Sequence, residues 1–436
     1  MAQIPVESVA QPTQAAYQKG GRNQYLVPFI LVTSLFFLWG MANNLDSILI
    51  PHLRKACQLT NRQSTLVDTA VYLAYFVMAI PAGMLLQKWG YKSGIITGLL
   101  LFACGAFLFV PAASSLSFGL FLTALFILGC GLGILETAAN PYAAVLGAPE
   151  DANFRLNLAA SFNGLAVFVA PFIGAVFILS GVEHTPEQLA AMSVAERNAY
   201  LLGEAASVKT PYMVLGGVLL LIAVLFFFAK LPEMKDDTTV VKPADFGRAF
   251  RYKHLTWAVV AQFFYVGAQV CVTSFFIRMA KQGGGLTEKS AAYALGIYGL
   301  LFMIGRFVGT ALLKAFPAAR LLAVYSVISV VLSIVAIYAD GKYVVYALSA
   351  LGFFMSIMFP TIFGLGLEGL GKNTKIGASL LVMSIVGGAV LPYLMGAIID
   401  MNGDRIQTGY YLPAACYLVI FFFAVSGYKV KERLVA

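Results

Sequence analysis

Three carboxylates stand where an apolar chain has least reason to put them: Asp46 in "ANNLDSILIP", Asp68 in "TLVDTAVYLAYF" and Glu136 in "GLGILETAANPY". An ionised side chain at the centre of a bilayer costs about 2.5–3.5 kcal/mol on insertion scales, so such groups face a water-filled cavity or a partner. A carboxyl held out of water can exchange its proton near neutral pH, which would make Glu136 a proton carrier. Asp46 and Asp68 are the two other proton-coupling candidates. Competing roles stay open at this level. Glu136 could bond a neighbouring helix, or act as a fixed charge for sodium or a cationic substrate. Asp46 and Asp68 could be solvated helix ends.

Amides cluster near these acids. Asn43 and Asn44 precede Asp46, Asn140 follows Glu136, and Asn157 and Asn163 lie one apolar run further on. Gln262 and Gln269 sit beside Phe264 and Tyr265, much as Trp39 sits beside the first pair of asparagines. Each amide alone is ordinary helix-to-helix glue. Together with the rings they make a lining suited to a sugar, whose hydroxyls need hydrogen bonds and whose C–H faces stack on aromatics. Asn43, Asn44, Asn140, Asn163, Gln262, Gln269, Trp39 and Tyr265 are therefore the substrate-binding candidates. Cations would want more acid, and lipophilic drugs fewer amides. Gly129, Gly131 and Gly133 permit close helix contact. Pro141 removes a backbone donor and is expected to kink or break its helix. Arg306, the deep basic residue in "IGRFVGT", is expected to pair with an acid at a helix interface.

The elements that must hold these residues follow from composition. Of 436 residues, 60% are hydrophobic and only 11% charged, roughly half the charge of soluble domains. A soluble multidomain protein could not cover its surface with so little. Apolar runs of about 20 residues cross a bilayer as helices. They fall near 25–52, 64–88, 93–112, 116–146, 154–181, 210–231, 254–281, 287–314, 319–339, 343–370, 374–399 and 408–428. The runs are continuous and not alternating, which excludes a transmembrane barrel. Asp46 then lies roughly 9 Å below the outer end of span 1, Asp68 at a similar depth in span 2, and the two could face each other. Glu136 lies about two-thirds of the way along span 4.

The chain reads as a tail at 1–24, a six-helix half at 25–231, a linker at 232–253, a second half at 254–428 and a tail at 429–436. Residues 1–24 are polar, with Lys19 and Arg22, and are not expected to act as a cleavable signal peptide. The loop at 182–209 has room for a short surface helix. "FFLWG" at 36–40 echoes "FFYVG" at 263–267, and "AGMLLQKWG" at 82–90 echoes "VGTALLKAF" at 308–316, at offsets of 227 and 226 residues. Parallel six-helix repeats are one plan of secondary transporters. With both termini inside, about 18 of 29 basic residues face the cytoplasm, as the positive-inside rule asks. The net charge of +9 is thus a topology signal, and a nucleic-acid partner is not expected. The five cysteines and three histidines show no metal-ligand or disulfide spacing. No phosphate-binding loop, H-E-x-x-H, CxxC or G-x-S-x-G occurs, so neither an ATP-driven pump nor a membrane-embedded hydrolase is expected.

"LVTSLFFLWGMANNLDSILIP", "YFVMAIPAGMLLQKWGYKSGIITG", "GLGILETAANPY", "FRLNLAASFNG", "AQFFYVGAQ" and "FMSIMFPTIFGLGL" resemble the bacterial L-fucose–proton symporters and related hexose carriers of the major facilitator superfamily. The likeness runs from about residue 24 to 428, and "ETAANP" followed by "FRLN" is its most specific pairing. The resemblance implies an all-α membrane protein of twelve transmembrane helices in two pseudo-repeats, alternating access driven by proton entry, and two cavity carboxylates, on spans 1 and 4. The span 4 acid maps onto Glu136. The span 1 position maps onto Ser47, with Asp46 one residue earlier and turned by about 100°. Asp68 stands where the fucose carriers have glutamine, and could take over the charge that left position 47. Ala160 likewise replaces a glutamine, and Met358–Phe359 a more polar pair, which favours a bulkier or N-acetylated hexose over fucose.

The expectation is a monomeric, multi-pass importer of the bacterial inner membrane, surrounded by lipid. It would carry a monosaccharide (L-fucose-like, glucose or galactose, or N-acetylated), coupled to protons and needing no cofactor. One proton per sugar would sustain roughly tenfold accumulation or more. Sodium coupling, and less so a drug or metabolite exporter of the same fold, are the rival expectations.

Overall fold

The computed structural model of the protein describes residues 25–146, 152–179, 184, 186–229, 252–313, 315–370 and 374–430. The tail at 1–24, the linker up to residue 251 and the final residues 431–436 lie outside the described residues. So do the side chains of Pro141 and Asn157.

Among the described residues the chain is helical, with no strand. In order the helices are α1 (Leu26–Ala56), α2 (Asn61–Ser64), α3 (Leu66–Ser114), α4 (Phe118–Val145), α5 (Ala152–Phe177), α6 (Pro186–Ala191), α7 (Val194–Ala206) and α8 (Lys209–Phe228). They continue with α9 (Lys253–Gln282), α10 (Glu288–Leu312), α11 (Ala318–Tyr338), α12 (Lys342–Met355), α13 (Met358–Leu367), α14 (Thr374–Met383), α15 (Gly387–Met401), α16 (Ile406–Gly409) and α17 (Tyr411–Phe422). Eleven stretches of the described residues are long and apolar enough to cross a bilayer.

Local chemistry sets the boundaries. The turn after α1 is closed by a capping box, in which Thr60 accepts from the Gln63 amide and Gln63 returns the bond. Ser117 caps α4 by accepting from the Leu120 amide. The expected break between spans 2 and 3 falls inside α3 at Gly90, whose φ of 79° only glycine adopts at little cost. Just beyond it, Lys92 Nζ donates to the carbonyls of Phe227 at 2.8 Å and Ala229 at 2.9 Å, closing the C-terminal end of α8. The stretch read as one span at 343–370 is two helices, α12 and α13, and that at 374–399 is α14 and α15 joined by a 3-10 turn over Ser384–Val386. At the second joint Gly387 lies against the Phe263 backbone, a seat too close for any Cβ. The surface helix anticipated in the loop at 182–209 is α7, started by a Ser193–Glu196 capping box and burying Leu201, Glu204 and Ala205.

The chain divides into two compact units. The first holds α1 to α8 together with residues 287–296, the opening turns of α10. Within it α4 packs along α3, α5 along α1, α8 along α3, and α7 against the ends of α1 and α3. The second holds α9, the rest of α10 from Ile297 and α11 to α17. There α9 packs on α15 and α17, and α11 on α12 and α17. Both units turn large apolar side chains outward, Phe227 and Phe228 in one and Phe307 and Tyr338 in the other, as lipid-facing helices do.

Candidate functional site

Helical spacing sorts α1 into two working faces. Phe36, Gly40 and Asn44 recur at intervals of four and lie on one side; Trp39, Asn43 and Asp46 lie on another. The first meets α5. Asn163 Nδ2 donates to the Phe36 carbonyl at 3.2 Å. A Cβ at Gly40 would stand 2.8 Å from Ala166 Cβ and 2.9 Å from both Asn163 Nδ2 and its carbonyl oxygen. Asn44 bonds its own helix, Nδ2 to Gly40 carbonyl at 2.7 Å. The second face meets α3, where Asn43 Nδ2 reaches Tyr75 Oη at 3.4 Å.

Tyr75 is the residue the sequence reading passed over. Its phenol interacts electrostatically with Glu136 on α4, with Asp46 on α1 and with Tyr72 on its own helix. One hydroxyl is thus reached by an amide and lies within electrostatic range of two of the three acids. The available signal was its spacing: Tyr75 follows Asp68 by seven residues, two turns along the same face of the helix. Asp68 and Asp46 are both buried, 3% and 7% exposed, and near enough to repel each other. That excludes freely solvated helix ends for either. Tyr212 of α8, stacked on Phe109 with ring centroids 3.7 Å apart, also interacts with Asp46. Ser47 is buried beside it, 7% exposed.

Glu136 is held by glycine. Added Cβ atoms at Gly129 and Gly133, one turn apart, would meet the first half of α3: that at Gly129 falls 2.8 Å from Ala74 Cβ, that at Gly133 3.3 Å from Met78 Cβ. Gly131 lies against the second half, at Gly98 and Phe102. The glycines serve packing, and the packing brings Glu136 to Tyr75. Its half-buried carboxylate makes no hydrogen bond or ion pair among the described residues. Asn140 Nδ2 bonds the Glu136 carbonyl at 3.0 Å. That fixes the amide while leaving its oxygen and second N–H for another partner. The helix does not break at Pro141; α4 continues to Val145.

In the second unit Gln262 is 0% exposed, and neither amide atom has a hydrogen-bond partner among the described residues. Tyr265, fully buried, donates to the Met355 carbonyl at 2.9 Å, and its ring lies 6.2 Å from that of Phe359. Gln269 is half-buried one turn further on, and its carbonyl accepts from Thr273 Oγ1 at 3.1 Å. Arg306 departs from expectation. It pairs with no acid among the described residues; its guanidinium lies over the Phe302 ring, 5.0 Å from the centroid, within electrostatic reach of Tyr265. A cation over an aromatic face in lipid is stabilised without a carboxylate. Trp39 is half-buried with its ring 5.7 Å from Phe36.

Buried acids on helices of membrane length, with amides and phenols at hand, are the arrangement of a membrane carrier's polar interior. The comparisons carry this further. The family model of the Major Facilitator Superfamily matches residues 31–380, and the chain belongs to that family. The L-fucose-proton symporter of Escherichia coli (strain K12) is 44% identical over 412 residues, covering 93% of this chain and 94% of that one. The glucose/galactose transporter of Brucella abortus biovar 1 (strain 9-941) is 38% identical over 400 residues, covering 91% of this chain and 93% of that one. The crystal structure of the transporter FucP in the outward conformation matches with a TM-score of 0.68 at 44% identity, over 92% of this chain and 98% of that one. These relatives are transporters by name, and none of them is an enzyme.

Proposed function

We propose that this chain imports a monosaccharide by proton symport and alternating access across the bacterial inner membrane, as a monomer. The proposed organisation is twelve spans with both termini in the cytoplasm, arranged as halves at 25–231 and 254–428 around a linker at 232–253. The observation that carries the reading is the carboxylate of Glu136, unbonded among the described residues in the middle of an apolar helix and within electrostatic reach of Tyr75, whose hydroxyl Asn43 reaches. A structural acid would be locked to a neighbour; this one is free to take and give a proton. Likeness to a symporter named for L-fucose and protons and to a glucose/galactose transporter supports a hexose-type cargo.

Glu136 is assigned proton transfer, with Asp46 and Asp68 sharing the charge that the related carriers place at position 47. Asn43, Asn44, Asn140, Asn163, Gln262, Gln269, Trp39 and Tyr265 are assigned to the sugar. Gln262 supports this best, because a fully buried amide with neither end bonded among the described residues is costly unless a ligand or water completes it. The cargo is proposed to be bulkier than fucose, since Ala160, Met358 and Phe359 leave those walls less polar.

The test is a panel of labelled hexoses in proteoliposomes, with a proton or a sodium gradient imposed in turn. At 100 mV one proton per sugar supplies about 2.3 kcal/mol, or about 50-fold accumulation. Glu136→Gln is expected to bring accumulation to unity while counterflow exchange continues. A Glu136→Gln protein that still concentrates sugar, or uptake that follows sodium at clamped pH, ends the proton assignment.

A further inference from the structure

The last turn of α1, the end of α7 and the start of α10 meet in a group of ionisable side chains that the transport site does not use. Lys55 Nζ lies 2.9 Å from Glu204 Oε2 and 3.8 Å from Glu288 Oε2. His52 Nδ1 stands 3.9 Å from the same Glu204 oxygen, and His52 Nε2 is 3.3 Å from Ser207 Oγ, which donates to the Ile178 carbonyl at 2.7 Å. The ammonium also lies over the Tyr200 ring, 5.7 Å from its centroid. Glu204 and Glu288 are each only 3% exposed.

Two nearly sealed carboxylates drawn to a lysine are an expensive way to hold helices together. Well-packed apolar residues of similar volume are often as stable as a buried ion pair or more so. What ions offer instead is a bond that can be exchanged for water when the helices part. The placement fits that use. Lys55 and Glu204 belong to segments entirely inside the first unit, whereas Glu288 opens a helix that leaves that unit after Gly296.

We infer that the Glu204–Lys55–Glu288 bridge is a latch that fastens the start of α10 to the ends of α1 and α7, and that Lys55 and Glu288 are positioning residues whose separation accompanies opening of that end to the outside. The inference rests on reading the chain as an alternating-access carrier. Glu204 keeps Lys55 in place whether the latch is open or shut, and Glu288 is the catch that lets go.

Nitroxides at the exposed positions Gln58 and Ser290, in a protein whose five native cysteines are replaced, report the separation by double electron–electron resonance. Glu288→Gln leaves the 2.9 Å pair of Lys55 and Glu204 intact and is the mild variant; Lys55→Met removes the bridge. Both are expected to raise the ratio of long to short distances by about fivefold or more. Variants that elute and melt like the parent and reproduce its distance distribution overturn the latch. Should Lys55→Met fail to fold, Glu288→Gln decides alone. Sugar uptake by the parent is measured alongside, so the two readings fail separately: transport with unmoved distances sinks the latch, and moving distances with no sugar carried sink the carrier.

Discussion

A single methyl group at Gly40 tests how α1 presents its acids. In Gly40→Ala the new carbon would sit 2.8 Å from Ala166 Cβ and 2.9 Å from the Asn163 carbonyl oxygen. Carbon atoms are comfortable at roughly 3.5–4.0 Å, so α1 and α5 must part by about 0.7 Å. One obstacle is main chain, and rotating a side chain cannot remove it. The same movement takes the Asn163–Phe36 bond from 3.2 Å beyond hydrogen-bonding range. Overpacking costs about 1–3 kcal/mol, and the lost interhelical bond adds about 0.6 kcal/mol. Gly217→Ala is the control, since nothing lies within 4 Å of a Cβ there and alanine favours the helix by about 1 kcal/mol. Thermal unfolding in detergent and sugar affinity are read together. Gly40→Ala is expected to melt several degrees lower and bind sugar more weakly, because Trp39, Asn43 and Asp46 shift with α1; Gly217→Ala should match or exceed the parent. A Gly40→Ala protein with the parent's melting point and affinity would refute the close packing of α1 on α5.

Other expectations follow from neighbouring contacts. Tyr75→Phe removes the partner of Asn43 and is expected to weaken sugar binding about threefold, the equivalent of a 0.6 kcal/mol interhelical bond, with a changed pH profile of uptake. Asp68→Asn should pull accumulation from about 50-fold at 100 mV toward unity; intact proton-coupled uptake would show that Asp68 has not inherited the displaced charge. Burial pushes the Cys57 thiol, in the turn after α1, up to about 11. Because the thiolate is the reactive form, maleimide labelling of Cys57 at pH 8 should run about 100-fold slower than that of a thiol of pKa near 9, and speed up tenfold per pH unit. Mass spectrometry resolves it from the exposed Cys104.

The residues that announce themselves in the sequence are those whose chemistry clashes with lipid. Asp46, Asp68 and Glu136 were visible for that reason, and the apolar runs between turns were visible by length. Tyr75 was not, because a phenol in an apolar helix looks like any other membrane aromatic until its neighbours on α1 and α4 are known. Arg306 misled for the converse reason. Its charge suggested an acid, and an aromatic ring on its own helix, one turn away, took that place. The interruptions at Ser384–Val386 and between α12 and α13 escaped notice since the apolar run continues through each joint, and the approach of Gly387 to Phe263 depends on a helix more than a hundred residues distant. Lys55 and Glu288 are farther apart still, so no local pattern links them.

The two bonds from Lys92 to the carbonyls of Phe227 and Ala229 give the first unit its own full stop. Helices usually leave their last carbonyls to water or to a following glycine; here the closing donor comes from the kinked middle of α3, more than a hundred residues upstream. A polypeptide severed beyond residue 229 would therefore keep every bond of that closure on one fragment.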